Sequence, residues 1–362
     1  MKSLTVELGE RSYPIVFADL EALGTGIAAL REPGRCVLVS NDRVGPLYAE
    51  RTLASLEAGG WTPDYLELPD GEHNKTSETW LGVVQGLLDL GVERNTPVLA
   101  LGGGVTGDIV GFAAAATLRG LPFVQVPTSL LAMVDSSVGG KTGVNTTHGK
   151  NLLGAFHQPF CVHVDVDTLA TLDDDELRCG LGEVVKHAVL ADPEFFAWLE
   201  AHGGRLLGRD PEALRHAIAT CCRIKSEVVA SDEREAGRRA LLNLGHTIGH
   251  GIERVVGYGS LRHGEAVGIG MVAEAWLAVE RGEAEAELPR RIARLLASLG
   301  LPTACPKLDP QELLAATRMD KKRSRGRIKV TVPRRLGDVR LVALEPSELL
   351  GAARAVTRPQ EE

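Results

Sequence analysis

The sequence predicts an α/β N-terminal domain with a largely parallel sheet, followed by an all-α C-terminal domain. Short apolar runs alternate with turns and helical segments in the first half of the chain. Helical periodicity dominates the second half. The length of 362 residues also exceeds what one hydrophobic core usually supports. We therefore expect two domains, 1–168 and 169–362.

Met1–Glu7 alternates apolar and polar residues like a strand. The other predicted strands of the first domain are short apolar runs that end in turn residues: Cys36–Val39, Val98–Leu101, Phe123–Val126 and Cys161–Val166. Because helical patterns follow several of these runs, the strands should be largely parallel. Ligands of such sheets bind beyond the carboxyl ends of the strands.

The predicted helices of the second domain show apolar residues at helical spacing. The clearest are Asp173–Leu190, Pro211–Ala230, Arg238–Val256 and Glu265–Arg281. They predict a domain that can place side chains from several helices around one point.

Composition narrows the class of protein. A net charge of −8 argues against a general nucleic-acid binder. The six cysteines form no CxxC pair, which is typical of reduced thiols. No stretch approaches the roughly 18 apolar residues of a membrane span, and the N-terminal segment lacks the apolar core of a signal peptide. We expect a cytoplasmic protein that does not bind membranes.

A glycine-rich turn follows the predicted strand Val98–Leu101. Gly102, Gly104 and Gly107 match the dinucleotide-binding fingerprint, and the helix predicted at Asp108–Thr117 follows directly. Backbone N–H groups at the positive end of a helix can hold a pyrophosphate. The pattern predicts a Rossmann-like nucleotide site; a tight turn without a ligand is the alternative.

The acidic residue that usually contacts the ribose of the nucleotide is missing from its expected place. Residues 125–127 are Gln-Val-Pro where an acid would follow the next strand. Asp42 after an earlier strand, or Glu72 with Lys75, are the candidates to replace it.

Histidines predict a metal site in the second domain. His246 and His250 lie four residues apart on a predicted helix, so spacing alone nominates this pair. His263 follows in a Gly/Ser-rich loop, and Glu183 supplies a carboxylate from an earlier helix. Nitrogen and oxygen ligands indicate a catalytic Zn²⁺ or Co²⁺. Without a metal, these would be ordinary buried or solvated histidines.

Glycines interrupt the same predicted helix. Gly245 and Gly249 each cost about 1 kcal/mol relative to alanine. A cost of this size indicates that another part of the molecule approaches closely.

Cationic side chains are more numerous than one nucleotide requires. Lysine binds phosphate as a point charge, and arginine pairs with carboxylates through a planar fork, so the set suits a substrate that carries both groups. The candidates are Lys141, Lys150, Lys186, Lys225, Arg239 and the basic run 321–327. Taken singly, each would be a solvated surface charge.

Five segments resemble the signature motifs of the 3-dehydroquinate synthase family, within the sugar phosphate cyclase superfamily. They are residues 127–142, 149–159, 182–186, 243–250 and 263–265, and related matches extend from Pro69 to Gly326. Departures from the family pattern are small. The family often has glutamine at the position of Met133, and Gly180–Gly182 matches the family's usual run of small residues less closely.

The resemblance implies a role for each matching residue. Glu183, His246 and His263 would hold the metal, while His250 would face the substrate, which replaces the pairing nominated from spacing. The residues implied to contact NAD are Asp42, Glu72, Lys75, Gly103, Gly104, Val105, Asp108, Thr128, Ser129, Lys141 and Lys150. Those implied to contact the substrate are Asp135, Lys141, Asn151, Lys186, Lys225, Arg239, Asn243 and His250. Arg119 would reach a phosphate in the partner subunit of a homodimer. Either Lys321 or Lys322 would enter the pocket.

The resemblance also implies an activity. The expected enzyme is a phosphate-eliminating lyase that converts 3-deoxy-D-arabino-heptulosonate 7-phosphate to 3-dehydroquinate in the shikimate pathway, with NAD and Zn²⁺ or Co²⁺. The alternatives are a related cyclase of the aminodehydroquinate or valiolone type, a metal-dependent polyol dehydrogenase, and a non-catalytic nucleotide-binding regulator. The cationic set disfavours the dehydrogenase, which has no need of several phosphate clamps.

Overall fold

A computed structural model describes residues 3–235, 237–257, 260–305, 308–318, 323–324 and 327–357. The strands are β1 (Ser3–Val6), β2 (Tyr13–Phe17), β3 (Arg35–Asn41), β4 (Thr62–Leu68), β5 (Val98–Gly102), β6 (Phe123–Pro127), β7 (Lys141–Thr146), β8 (Gly149–Phe156), β9 (Cys161–Val164), β10 (Arg323–Ser324), β11 (Arg327–Arg335) and β12 (Asp338–Leu344). The helices are α1 (Leu23–Ala28), α2 (Gly45–Ala58), α3 (Ser77–Asp89), α4 (Gly104–Ala116), α5 (Asp174–Ala191), α6 (Pro193–Leu207), α7 (Pro211–Ser231), α8 (His246–Val256), α9 (His263–Glu280), α10 (Glu287–Ser298), α11 (Pro310–Arg318) and α12 (Leu349–Thr357). Lys321 and Lys322 lie outside the described residues.

The first unit is built on a seven-stranded sheet with the order β1-β2-β9-β6-β5-β3-β4. Only the β1–β2 pair is antiparallel in this sheet; the remaining pairs are parallel. The predicted parallel sheet is therefore confirmed. A separate hairpin of β7 and β8, which the sequence patterns do not predict, carries Lys141, Lys150 and Asn151.

Helices cover both faces of this sheet, so its central strands are apolar on both sides. On one face Val37, Val98 and Ala100 belong to a core that includes side chains of α3 and α4. On the other face Leu38 and Leu99 belong to a core that includes side chains of α2. This packing holds the carboxyl ends of β3, β5 and β6 in register.

The second unit is mainly helical, with α5, α6 and α8–α12 and most of α7. The prediction of an all-α domain is wrong in one respect, because β10, β11 and β12 form a three-stranded antiparallel sheet. The arginines of Arg327–Arg335 obscure a strand in which Ile328, Val330 and Val332 are buried at every second position.

The two units divide the chain differently from the prediction. The first contains Met1–Leu172 together with Lys225–Arg234, and the second contains Asp173–Ile224 with Glu235–Glu362. The predicted boundary lies four residues earlier, and residues 225–234 were assigned to the second domain. Their polar contacts explain the difference: Lys225 binds Asp135, and Glu233 forms a two-bond ion pair with Arg11.

The predicted helix Arg238–Val256 is wrong at its start. A short 3₁₀ turn covers Arg238–Asn243, and α8 begins at His246. Gly245 separates the two with φ of 79°, a left-handed conformation that only glycine adopts at little cost. The other predicted helices of the second domain agree with α5, α7 and α9 to within two residues at each end. In the first domain, α4 begins at Gly104, four residues before the predicted start at Asp108.

Within the described part of the chain, no helix combines the length and the apolar character needed to cross a bilayer.

Candidate active site

The glycine turn of the first unit links β5 to α4 at the carboxyl edge of the parallel sheet. Gly103 precedes the first helical residue, Gly104, so the first amides of α4 point out of the end of the helix. Close contacts account for the glycines: a Cβ on Gly107 would lie 2.6 Å from Oε1 of Gln125, and one on Gly102 would lie 2.6 Å from Oγ1 of Thr106. The turn can receive a pyrophosphate, with Val105 in the first turn of the helix.

Two neighbouring strand ends complete this edge. Thr128 follows β6, and its amide donates to the carbonyl oxygen of Gly102 at 3.0 Å. A Cβ on Gly103 would lie 3.4 Å from the hydroxyl of Ser129. Asp42 follows β3, is exposed, and accepts a bond from the amide of Asp70 at 2.9 Å. The structure therefore brings Thr128 and Ser129, which the resemblance implies contact NAD, beside the glycine turn.

Lys75 is the buried cation of this region. Its Nζ donates to Asp108 at 2.5 Å and to Asn151 at 2.6 Å, and its side chain is 6% exposed. Burial raises the pKa of the Asp108 carboxyl, and the charge of Lys75 opposes this rise. Lys75 thus joins a residue implied to contact NAD and one implied to contact the substrate.

The other implied residues of the first unit fall into two groups. Glu72 accepts a bond from the side-chain amide of Asn145 at 2.8 Å, and Asn145 also accepts from the backbone of Asn151 at 2.9 Å. Lys225 donates to Oδ1 of Asp135 at 2.7 Å. In the first group, Asn145 and Asn151 lie on the hairpin of β7 and β8, while Glu72 lies in the short 3₁₀ turn Glu72–Asn74. The second group joins α7 to the turn after β6.

Arg119 lies in a strained turn after α4. Leu118 and Arg119 both have positive φ, 50° and 70°, and both side chains are exposed. This conformation costs roughly 1–2 kcal/mol for each non-glycine residue. Backbone strain of this kind persists only where the surrounding structure holds it, and it is frequent at functional sites.

Three side chains of the second unit surround one point. Oε1 of Glu183 lies 3.6 Å from Nε2 of His246 and 3.5 Å from Nε2 of His263. Ligand atoms of His246, His250 and His263 also lie within 4.8 Å of one another. The carboxylate of Glu183 is fully buried. One buried oxygen facing two imidazole nitrogens is a donor set that suits Zn²⁺ or Co²⁺.

Close helix contacts place these three side chains. Each follows or precedes a glycine at a backbone-to-backbone contact: Gly182 beside Glu183, Gly264 beside His263, and Gly245 beside His246. A Cβ on Gly182 would overlap the backbone of Gly264, and one on Gly245 would lie 2.5 Å from the carbonyl oxygen of Val267. Helices α5 and α8 therefore pack on α9 without intervening side chains. The close approach predicted for Gly245 is confirmed.

The two histidines differ in their tendency to bind a proton. Burial holds the pKa of His246 well below its ordinary value, although Glu183 opposes this. Burial also acts to lower the pKa of His263, but the Glu183 and Glu253 carboxylates outweigh it and raise the pKa to about 9. Nδ1 of His246 lies 3.1 Å from the carbonyl oxygen of Leu244, which leaves Nε2 towards Glu183.

The sequence predicts a loop at His263, but the structure places this residue in a helix. It is the first residue of α9, whose start is fixed because Glu265 accepts a bond from the amide of Arg262 at 2.7 Å. Arg262 is in turn paired with Glu176 at 3.1 Å. These contacts set where α9 begins and therefore where His263 lies.

The residues of the second unit that the resemblance implies bind anions are close in sequence to the proposed metal ligands. Lys186 ion-pairs with Oε2 of Glu183, and both side chains are buried. Arg239 is 2% exposed and lies in the 3₁₀ turn before α8. Asn243 ends that turn and donates to Glu235 at 2.8 Å.

Three glutamates were missed by the sequence reading. Glu253 lies 3.6 Å from Nδ1 of His263, Glu274 accepts the amide of Gly245 at 2.5 Å, and Glu235 accepts from Asn243. A signal existed for Glu253, because it lies seven residues after His246 on the same helix face. No pattern in the sequence marked Glu235 or Glu274.

Comparison with known proteins adds to this geometry. The family model for the N-terminal part of 3-dehydroquinate synthase matches residues 65–179, and the model for the C-terminal part matches residues 180–323. The chain belongs to the 3-dehydroquinate synthase family. Its similarity to the 3-dehydroquinate synthase of Desulforamulus reducens is 46% identity over 342 residues, which cover 94% of this chain and 95% of that protein. The resemblance drawn from the motifs is confirmed.

Solved structures of related cyclases share the fold of this 3-dehydroquinate synthase family member. The 2-epi-5-epi-valiolone synthase from Streptomyces hygroscopicus subsp. jinggangensis, with NAD⁺ and Zn²⁺ bound, is 32% identical with a TM-score of 0.88, covering 97% of this chain and 98% of the other. A 2-deoxy-scyllo-inosose synthase in complex with carbaglucose-6-phosphate, NAD⁺ and Co²⁺ is 24% identical with a TM-score of 0.89, covering 98% and 99%. The second likeness shows the fold alone.

Proposed function

We propose that the protein is a 3-dehydroquinate synthase, a carbon–oxygen lyase that converts 3-deoxy-D-arabino-heptulosonate 7-phosphate to 3-dehydroquinate and phosphate. Buried Glu183 carries the proposal: it faces Nε2 of two histidines and ion-pairs with Lys186. A metal site beside a buried cation suits a substrate with both a hydroxyl and a phosphate. The 46% identical relative with the same name supports this reading.

We assign Glu183, His246 and His263 as the ligands of a divalent metal. The low pKa of His246 keeps its imidazole neutral, which is the form that binds metal. When bound, the metal would lower the cost of removing a proton from a substrate hydroxyl. His250, whose ligand atom lies within the same cluster, is left for proton transfer.

We assign the edge of the first unit to NAD⁺, which would accept a hydride from the substrate and later return it. The glycine turn at Gly103–Gly104 offers amides to the pyrophosphate. Asp42 offers a carboxylate to a ribose, while the Lys75–Asp108 pair fixes the end of the turn. The relative of known structure that binds NAD⁺ and Zn²⁺ supports both cofactor assignments.

The cationic residues take the substrate's two anionic ends. We assign Lys141, Asn151, Lys186 and Asn243 to the phosphate and Arg239 to the carboxylate, because a guanidinium pairs with a carboxylate through two parallel hydrogen bonds. Lys225 holds Asp135, and Asp135 orients a substrate hydroxyl. With phosphate held by several donors, its elimination is favoured over release of the oxidised sugar.

We further propose a homodimer in which Arg119 contacts the phosphate bound by the partner subunit. The strained turn exposes this guanidinium, and among the described residues it forms no ion pair. Exposed apolar side chains on the β8 strand, Leu152, Leu153 and Phe156, support a subunit contact on the same unit.

One alternative has a specific observation behind it. The solved valiolone synthase is 32% identical over almost the whole chain, so a cyclase of that type is the second candidate. The 46% identical relative and the match to both family models favour the 3-dehydroquinate synthase.

The test is to incubate the purified protein with the heptulosonate phosphate and catalytic NAD⁺, and to follow both inorganic phosphate and 3-dehydroquinate. We expect release of phosphate equal to product, no net accumulation of NADH, and loss of turnover with a chelator. A heptulose 7-phosphate without the carboxylate serves as the competing substrate. Turnover of that sugar alone would favour the valiolone type, and accumulation of NADH would favour a dehydrogenase.

A further inference from the structure

We propose that Glu253 is a positioning residue that fixes the tautomer of His263. This inference rests on the proposed metal site. Glu253 lies on α8, one of the two helices that cross at the histidine cluster, and its side chain is 4% exposed.

Two carboxylates face the two nitrogens of one imidazole. Oε1 of Glu253 lies 3.6 Å from Nδ1 of His263, while Oε1 of Glu183 lies 3.5 Å from Nε2 of the same ring. A histidine binds metal as the neutral imidazole, which carries one proton, so in that form the carboxylate that accepts this proton determines which nitrogen remains free. With the proton on Nδ1 towards Glu253, the lone pair of Nε2 points to the same side as Glu183.

The other histidine of the proposed ligand set, His246, has a backbone acceptor for its second ring nitrogen. Nδ1 of His246 lies 3.1 Å from the backbone oxygen of Leu244, which is a fixed acceptor beside the ring. No backbone acceptor for Nδ1 of His263 occurs among the described residues, and Glu253 occupies that side. In metal sites, an acceptor on the second nitrogen sets the orientation and basicity of the ligating histidine.

Burial of the Glu253 carboxylate requires that it have a polar partner. A buried carboxylate must be paired or hydrogen-bonded, because desolvation of the charge is costly. Glu253 lies three residues after His250 on α8, so helix geometry places it on the histidine-bearing face. Its position at the ring of His263 therefore follows from the helix itself and requires no flexible segment.

The tests use the whole protein in metal-free and metal-loaded forms. Glu253→Ala removes the carboxylate, Glu253→Gln keeps its shape, and Glu57→Gln, at an exposed position of α2, is the charge-matched control. We expect the Kd for Zn²⁺, measured against a chromophoric chelator, to rise ~10–100-fold in Glu253→Ala and less in Glu253→Gln. The control should keep the wild-type value. The visible spectrum of the Co²⁺-loaded protein should change only in the Glu253 variants.

A measurement on the wild-type protein keeps the inference testable if a variant does not fold. In ¹⁵N-histidine-labelled, Zn²⁺-loaded protein, long-range ¹H–¹⁵N spectra should show His263 protonated at Nδ1 and metal-bound at Nε2, with His263→Ala used for assignment. Protonation at Nε2 would overturn the inference, as would unchanged Zn²⁺ affinity and Co²⁺ spectrum in folded Glu253→Ala. Failure of the wild-type protein to bind one Zn²⁺ per chain would overturn the metal site as well.

Discussion

Lys75 is the residue whose contacts connect the most candidate groups in the first unit. One ammonium holds both the Asp108 carboxylate and the Asn151 side chain, and Asn151 itself has positive φ of 53°. A single lysine in a loop carried no distinguishing pattern in the sequence beyond its place in the family motif.

Replacing Lys75 by methionine should weaken cofactor binding. The change leaves Asp108 without its cation at the start of α4, and we expect the Kd for NAD⁺ to rise about tenfold, which is about 1.4 kcal/mol. Isothermal titration calorimetry measures it. Exposed Lys329→Met is the matched control, with no expected change. An unaltered Kd in folded Lys75→Met would remove Lys75 from the cofactor site.

His163 should make stability depend on pH. It is buried in β9, and desolvation lowers its pKa below the ordinary value of 6.5, although a hydrogen bond with the carbonyl oxygen of Asp19 at 3.0 Å opposes this. The unfolded chain therefore binds a proton below about pH 6.5 that the folded chain does not, so stability decreases as the pH falls through that range.

Urea unfolding between pH 8 and pH 5 measures this effect. Glutamine at position 163 can still donate to Asp19 but does not titrate, so His163→Gln should show a shallower loss of stability below pH 6.5 than the wild type. Parallel curves for the two proteins would show that His163 does not contribute to the pH dependence.

At the scale of elements, helix crossings at glycine set the distances within the proposed metal site. A Cβ on Gly264 would overlap the carbonyl group of Cys179 on α5, so the two helices can approach only without a side chain there. The distance between His263 and Glu183 depends on that approach.

Gly264→Ala should therefore separate α5 from α9. Overpacking of this kind typically costs about 1–3 kcal/mol, and the affinity for Zn²⁺ should fall because one ligand moves away from the other two. Gly204 on α6 has no atom within 4 Å of an added Cβ, so Gly204→Ala is the matched control. We expect the control to be neutral or stabilising by up to about 1 kcal/mol. Urea unfolding and metal titration of both variants test this prediction. A Gly264→Ala variant as stable as the Gly204→Ala control would contradict the packing argument.

The elements differ in how far the sequence predicts them. The apolar runs of β3, β5, β6 and β9 predict the sheet, because strands covered on both faces are apolar at every position. The sequence predicts a close approach at Gly245, but not the left-handed conformation that separates α8 from the turn before it. The hairpin of β7 and β8 also escapes prediction, because Gly143 and Gly154 contact the opposite backbone only once the two strands are paired. Helical spacing alone paired His246 with His250, whereas the carboxylate of Glu183 faces His246 and His263, two residues from different helices.

At the scale of the whole molecule, the proposed dimer makes each active site depend on two chains. Arg119→Ala and Lys186→Met should each abolish turnover on their own. Arg119→Ala removes the residue that each chain contributes to the partner's site, and Lys186→Met removes a residue of the chain's own site. Both substitutions leave the exposed apolar side chains of β8 unchanged.

Mixing the two inactive variants under conditions of subunit exchange should restore activity. In a mixed dimer one site carries both substitutions and the other carries none, so an equal mixture should regain about one quarter of wild-type turnover. Size-exclusion chromatography with light scattering establishes the oligomeric state in parallel. A mixture that stays inactive despite confirmed exchange would show that Arg119 acts within its own chain.

The return of residues 225–234 to the first unit has a consequence for recombination. The polypeptide passes between the units three times, so no single crossover along the gene can exchange one unit for that of a relative. A hybrid joined at residue 172 inherits its 225–234 decapeptide from the wrong parent. Such a hybrid keeps these contacts only if the donor supplies a lysine to meet Asp135 and a glutamate to meet Arg11.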